Sequence, residues 1–186
     1  MGSGLLSLTI ALFCVGGVAL SYYAIHIEHM KSENNDYQAT CDLDEKISCS
    51  KVVTSKYSRG MGIVGDLLGE DHPLNIPNSY GGLLFFPVML VLGFIPSRTI
   101  TFLAVMITSF ACLTSVYLVY ILFYILEMIC LVCMPVHFIN LALFILFTIK
   151  WSSPPGKTTS SAGTNSNIKK SPAGQTGKKK KSKKEQ

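Results

Sequence analysis

Apolar residues in this chain come in long blocks. Leu5–Ile27, Tyr80–Ile95, Thr99–Leu126 and Met128–Ile149 contain no Asp, Glu, Lys or Arg. A surface helix of a soluble protein keeps a polar stripe at a 3.6-residue period, and none of these blocks carries one of any width. Crossing the hydrocarbon core takes about 20 apolar residues, which every block but the second exceeds. The second belongs to a longer uncharged stretch, Pro73–Ser97, so a tilted or partly unwound span is expected there. The pattern therefore predicts an all-α membrane protein, a bundle of four transmembrane helices at about residues 5–27, 80–96, 99–126 and 128–149. A soluble helical bundle is the alternative that the missing polar faces argue against. Leu5–Ile27 reads as a span rather than a cleaved leader, because it lacks a basic region before it and is longer than a leader's apolar core.

Between the first two spans, residues 28–79 form a large polar loop. Within it, Gly62–Gly69 sets apolar residues at helical spacing between glycines. This predicts a short helix on the membrane surface, covering the mouth of the bundle, with an ordinary surface loop as the alternative. Residues 1–150 make one folded unit. Residues 151–186 are rich in Ser, Lys, Gly, Thr and Pro, have almost nothing apolar to bury, and are expected to be a disordered basic tail.

Charge turns a span count into an orientation. The chain is only 15% charged, against about 25% in soluble domains, and the charges are segregated. The loop holds five Lys/Arg against nine Asp/Glu, and the tail from Lys150 holds ten Lys against Glu185. The positive-inside rule puts that tail in the cytosol. Four spans then put the N-terminus there too, with Ser97-Arg98 as a cytosolic turn and the loop and Glu127 on the opposite side. Lysines at 183 and 184, four and three residues from the end, resemble a dilysine retrieval signal, so an endoplasmic reticulum membrane is expected. The lysines also suit anionic lipid on the cytosolic leaflet. Nothing in the chain suggests nucleic-acid binding.

Six cysteines then supply candidate chemistry. Cys14 and Cys112 sit mid-span, where thiols usually serve as inert packing. The other four fall on the non-cytosolic side: Cys41 and Cys49 in the loop, Cys130 and Cys133 as a CxxC at the start of the fourth helix. That side is oxidising, and four cysteines allow three disulfide connectivities. A CxxC on one helical face at a helix N-terminus is close enough to pair, and the dipole there favours thiolate. Three readings stay open. Two static staples would make a structural, claudin-like four-span protein, although the tryptophan-rich signature of claudins is missing beside the loop pair. A zinc site would want closer spacing than Cys41-x7-Cys49. The third is a relay, in which an outer pair (Cys41, Cys49) passes electrons by thiol–disulfide exchange to an inner pair (Cys130, Cys133) that reduces a lipid-soluble quinone.

Four stretches carry a family likeness: Cys41-Asp42-Leu43 with Ile47-Ser48-Cys49-Ser50; Leu74 to Ser79; Ser115-Val116-Tyr117-Leu118; and Cys130-Leu131-Val132-Cys133 with Asn140. Over residues 10–150 the chain resembles the vitamin K epoxide reductase family. The resemblance implies a four-helix bundle around a quinone pocket with a lumenal cap, acting on vitamin K quinone and its epoxide without a covalently bound cofactor. It implies Cys133 as the nucleophile and Cys130 as the resolving thiol. Cys49 would attack the inner disulfide, and Cys41 would exchange with a lumenal thioredoxin-like protein or a small dithiol. Asn78 matches the asparagine that hydrogen-bonds a substrate oxygen. Tyr57, Val53, Phe85 and Leu118 match positions lining the substrate and anticoagulant pocket. The chain departs from the family where Thr-Tyr usually follows the CxxC: here it reads Met134-Pro135-Val136-His137. His137, one turn after Cys133, is expected to donate a proton to the substrate or tune the thiolate, with a hydrogen-bonded interior histidine as the alternative. Pro135 suits the first turn of a helix, and Gly81 is small where the family often carries an aromatic. A main flux in the reverse sense, oxidising lumenal partners with quinone as the sink, is a second use of the same chemistry.

Overall fold

Four apolar helices build the bundle: α1 (Ser3–Glu33), α4 (Asn78–Phe94), α5 (Arg98–Tyr120) and α6 (Cys133–Ser152). A computed structural model describes residues 3–69, 72–73 and 75–153, so the tail beyond 153 and its lysines at 183 and 184 lie outside the described residues. The uncharged blocks become helices because lipid offers no partner to a backbone N–H or C=O, and a helix satisfies both internally. Helices α1, α5 with its continuation, and α6 are long and apolar enough to cross a membrane. With 17 residues, α4 reaches about 26 Å at 1.5 Å per residue, the short limit for a crossing. The protein is a multi-pass membrane protein. Its outer surface says so too: Leu12, Leu84, Leu113 and Val116 are each at least 67% exposed, a coat that lipid solvates and water does not.

Helix α1 packs along α4 and also against α6, while α5 packs on α6 and touches α4 only sparingly. Small residues let α1 and α4 approach closely. A Cβ at Gly17 would meet the Phe86 ring at 2.6 Å, and one at Gly82 would meet Ser21 Oγ at 2.5 Å. Bundles in lipid gain stability from such close packing rather than from expelling water. Below this contact Ile10, Cys14, Phe86, Met89, Leu143 and Phe147 form a fully buried core. The Lys150 ammonium donates to the carbonyls of Gly93 and Ile95, covering two carbonyls at the C-terminal end of α4.

The loop between α1 and α4 is structured. It holds α2 (Cys49–Val53), 3-10 turns at Lys56–Ser58 and Gly60–Gly62, and α3 (Val64–Leu68). Helix α3 lies within the segment where the glycine-bounded spacing predicts a short helix, with Ile63, Leu67 and Leu68 exposed.

One expectation is corrected. The last helix starts at Cys133, not at 128, so Cys130 and Cys133 do not share a helical face. Helix α5 widens into a π-helical turn, Ile121–Ile125, and Glu127 reverses the chain at φ 50°. The following segment bonds to the loop: the Ile129 N–H donates to Lys46 O at 2.7 Å, and the Ser48 N–H to Ile129 O at 3.2 Å. Helix through 129 would forfeit these bonds. An apolar run cannot announce this, because a buried turn and a buried helix look alike by hydropathy.

Candidate active site

That pairing of residues 46–48 with 129 is what assembles the cysteines. Cys49 follows one paired segment and Cys130 the other; both are fully buried, and both belong to one cluster against which Cys41 and Cys133 pack. Two disulfides form within it, Cys41–Cys49 with Cα atoms 5.8 Å apart and Cys130–Cys133 with Cα atoms 5.2 Å apart. Each pair has one buried sulfur and one less buried. Cys41 is half-buried on the loop side, and Cys133, also half-buried, opens the first turn of α6. The Cys130 sulfur accepts the Cys133 N–H at 3.1 Å, so it sits at the positive end of that helix. Cys14 and Cys112 are free and stand apart from both pairs.

Asp42, next to Cys41, ties the outer pair together. Its carboxylate accepts Ser48 Oγ (3.0 Å), Ser50 N–H (3.0 Å), Ser50 Oγ (2.5 Å) and Ala39 N–H (2.9 Å). Burial pushes the Asp42 carboxyl up, but these donors together outweigh it and hold the pKa at about 2. The Ser48 hydroxyl in turn caps α2 by accepting the Lys51 N–H.

A cavity of about 500 Å³, the size of a small-molecule site, lies under the cap between α1, α4, α5 and α6. Of the sequence candidates, Cys133, Asn78, His137, Tyr57, Val53, Phe85 and Leu118 all line it, and Cys41, Cys49 and Cys130 do not. Cys133 is therefore the one of the four disulfide cysteines on the cavity wall. On α6, Cys133, His137 and Asn140 fall at i, i+4 and i+7, a single stripe facing the space. Among the described residues, His137 Nδ1 and Asn140 Oδ1 are buried without a hydrogen-bond partner, while Asn140 Nδ2 donates to Ser115 Oγ at 2.9 Å. Phe110 lines the cavity and is 65% exposed on the outer face of α5, so the space reaches the lipid-facing surface. A Cβ at Gly81 would meet nothing within 4 Å, so the small residue leaves that wall open.

Asn78 turns out to hold the roof. Its Nδ2 donates to Tyr57 O at 3.0 Å, and its Oδ1 accepts the Met61 N–H at 2.9 Å. Met61 sits between Gly60 and Gly62, and all three have positive φ. A non-glycine residue there costs about 1–2 kcal/mol, and the bond from Asn78 offsets part of it. Arg59 adds an ion pair to Glu28 of α1 at 2.9 Å. In the sequence pattern Asn140, Ser115 and Asp42 carry only the family likeness and no role of their own. Asn140 was findable as a polar residue continuing the Cys133–His137 stripe inside a membrane helix. Asp42 was not, since its partners are gathered by the turn.

The family model for the vitamin K epoxide reductase family matches residues 8–148. The chain is similar to vitamin K epoxide reductase complex subunit 1 of Rattus norvegicus, 40% identical over 133 residues that cover 72% of this chain and 83% of the relative. Its similarity to the Mus musculus protein of that name is the same in identity and coverage. Residues 8–148, the span of the family match, contain both disulfides and every candidate on the cavity wall.

Proposed function

The chain belongs to the vitamin K epoxide reductase family, and on that premise we propose that it reduces vitamin K epoxide and the quinone in the membrane through a four-cysteine relay. One observation carries the reading: Cys133 alone of the four sulfurs lines the apolar cavity, while its disulfide partner Cys130 is buried in the cluster that holds Cys49. The opening at Phe110 suits a ligand that arrives dissolved in lipid. Family membership also sets aside the claudin-like reading.

In this reading the Cys133 thiolate attacks the epoxide; a C–O bond breaks and the oxygen takes a proton from His137. The Cys130 thiolate then attacks Cys133 Sγ, making the S–S bond and returning the electron pair to the ring. The hydroxyl leaves as water with the proton that Cys130 gave up, and the quinone remains; the proton from Cys133 restores His137. Two thiols have become one disulfide, and a second round supplies two electrons and two protons to give the hydroquinone. Asn78 has one amide N–H engaged by Tyr57; the other serves a substrate oxygen, in a mostly apolar wall where each donor counts for much against developing charge. Tyr57, Val53, Phe85 and Leu118 supply apolar contact. Cys49 reopens the inner disulfide through Cys130. Cys41, the more accessible outer sulfur, meets a lumenal thioredoxin-like protein or small dithiol.

The same reading gives four spans with α4 as the second, both termini in the cytosol, α3 on the lumenal membrane surface, and residence in the endoplasmic reticulum. No cofactor is held covalently. The deciding experiment supplies microsomes containing the protein with vitamin K epoxide and dithiothreitol. Turnover is expected from the wild type and absent from Cys133→Ser; sustained turnover by that variant overturns the mechanism.

A further inference from the structure

We infer that Asp42 is a positioning residue that sets the reduction potential of the Cys41–Cys49 pair, by clasping the two ends of its loop through Ala39, Ser48 and Ser50 whether or not the disulfide is closed. The inference deepens the relay reading and rests on it for its purpose.

The geometry is specific. Cys41 and Cys49 bracket a short turn that the disulfide closes, and Asp42 and Ser50 lie directly beyond each cysteine on the C-terminal side. The bonds from Ser50 N–H and Oγ to the Asp42 carboxylate therefore cross the same gap as the S–S bond, one residue along. The Ser48 hydroxyl crosses it from the other side of Cys49. A second, isolated bridge inside the turn, between Asp44 and Ile47, keeps it folded back on itself. None of these bonds uses sulfur.

Reduction of the pair by a dithiol breaks the S–S bond, places two electrons and two protons on the two sulfurs, and leaves the reductant as a disulfide. In an unrestrained turn the freed thiols would drift apart, and closing them again would cost loop entropy. With the carboxylate still holding Ser48 and Ser50, the thiols stay near bonding distance, at a high effective concentration. Closure is then favoured, so the outer pair is a stronger reductant than a bare turn would be. The carboxylate charge beside both sulfurs acts in the same sense, since it disfavours thiolates. A strongly reducing outer pair is what an inward flow of electrons toward Cys130 needs. The carboxylate touches no substrate, so this is positioning and not chemistry.

The test equilibrates purified full-length protein, in detergent and with Cys130 and Cys133 replaced by alanine, against glutathione redox buffers. Alkylation and mass spectrometry then read the oxidised fraction of Cys41–Cys49. Asp42→Asn is expected to shift the equilibrium about tenfold toward the dithiol, equal to about 30 mV for two electrons. Ser50→Ala, which deletes one hydroxyl, shifts it the same way by less, and keeps the test sound should Asp42→Asn not fold. An outer-pair equilibrium within twofold of the parent in both variants, or a shift toward the disulfide in either, overturns the proposal. No quinone enters this assay, so its failure is separate from a failure of the Cys133→Ser turnover test.

Discussion

Single side chains in this protein carry two kinds of burden. Asn78 was readable as a substrate hydrogen-bonding residue only through the family likeness, and its place in the fold adds a second duty, bracing Met61 in a left-handed conformation. Asn78→Ala is expected to lower stability by about 1–3 kcal/mol through two lost hydrogen bonds, seen in thermal unfolding in detergent, as well as to weaken substrate binding. His137 sits on the cavity wall with Nδ1 unpartnered among the described residues. If it donates a proton, His137→Phe should lower kcat for epoxide reduction about 10²–10⁴-fold, and His137→Tyr, which restores an O–H, should recover most of it. A structural role would instead show as lost stability in both variants. Asp42 makes a pH prediction with a definite sign. Its carboxyl is held at about 2 against an ordinary value of 3.8, so what it contributes to the cap is fully present above about pH 4 and is lost as pH falls through 2. Hydrogen exchange at the Ser50 N–H should therefore show no loosening of the clasp between pH 7 and 5.

At the scale of elements, the contact between α1 and α4 depends on missing side chains. Gly17→Val would drive a branched side chain into the Phe86 ring and should cost about 1–3 kcal/mol by overpacking. Gly81→Ala, four residues from Phe85 on the same helix, faces open space and should raise the unfolding temperature slightly, since alanine is favoured over glycine inside a helix by up to about 1 kcal/mol. The two measurements together separate close approach from general intolerance. The turn from α5 to α6 is the other decisive element. A helix running from 128 was the natural reading of an uninterrupted apolar run, but the π-helical turn and the reversal at Glu127 trade that helix for bonds to Lys46 and Ser48. Those bonds put the two disulfides in one cluster, which no spacing within either CxxC or Cys-x7-Cys could reveal.

At the scale of the whole molecule, the described helices carry an apolar coat, and the cavity that Cys133 lines has few polar atoms on its wall; both suit a ligand dissolved in lipid. The sulfurs are ordered across the molecule: Cys41 is the more exposed sulfur of the outer pair and Cys133 is the sulfur on the cavity. The two buried sulfurs, Cys49 and Cys130, lie between them in one cluster. A Cys133→Ala variant should therefore accumulate a Cys49–Cys130 mixed disulfide, read by mass mapping after acid quench. Fixed Cys41–Cys49 pairing with no such species would mark the outer disulfide as a static staple.

What the sequence determined by itself was whatever rests on composition along one dimension: the apolar helices, the polar loop, the separation of four cysteines outside the spans' middles from two within them, and a family likeness carried by motif residues. Hydropathy and spacing encode these because lipid and helical geometry act on every residue of a run alike. The tertiary structure alone decided where the last helix begins, that Asp42 and Ser50 meet across a turn, that Asn78 braces the roof, and that Cys133 faces the cavity while Cys130 faces the loop. Each of these is a contact between segments far apart in sequence or a choice between helix and buried turn. Only the competing hydrogen bonds of the folded chain make that choice.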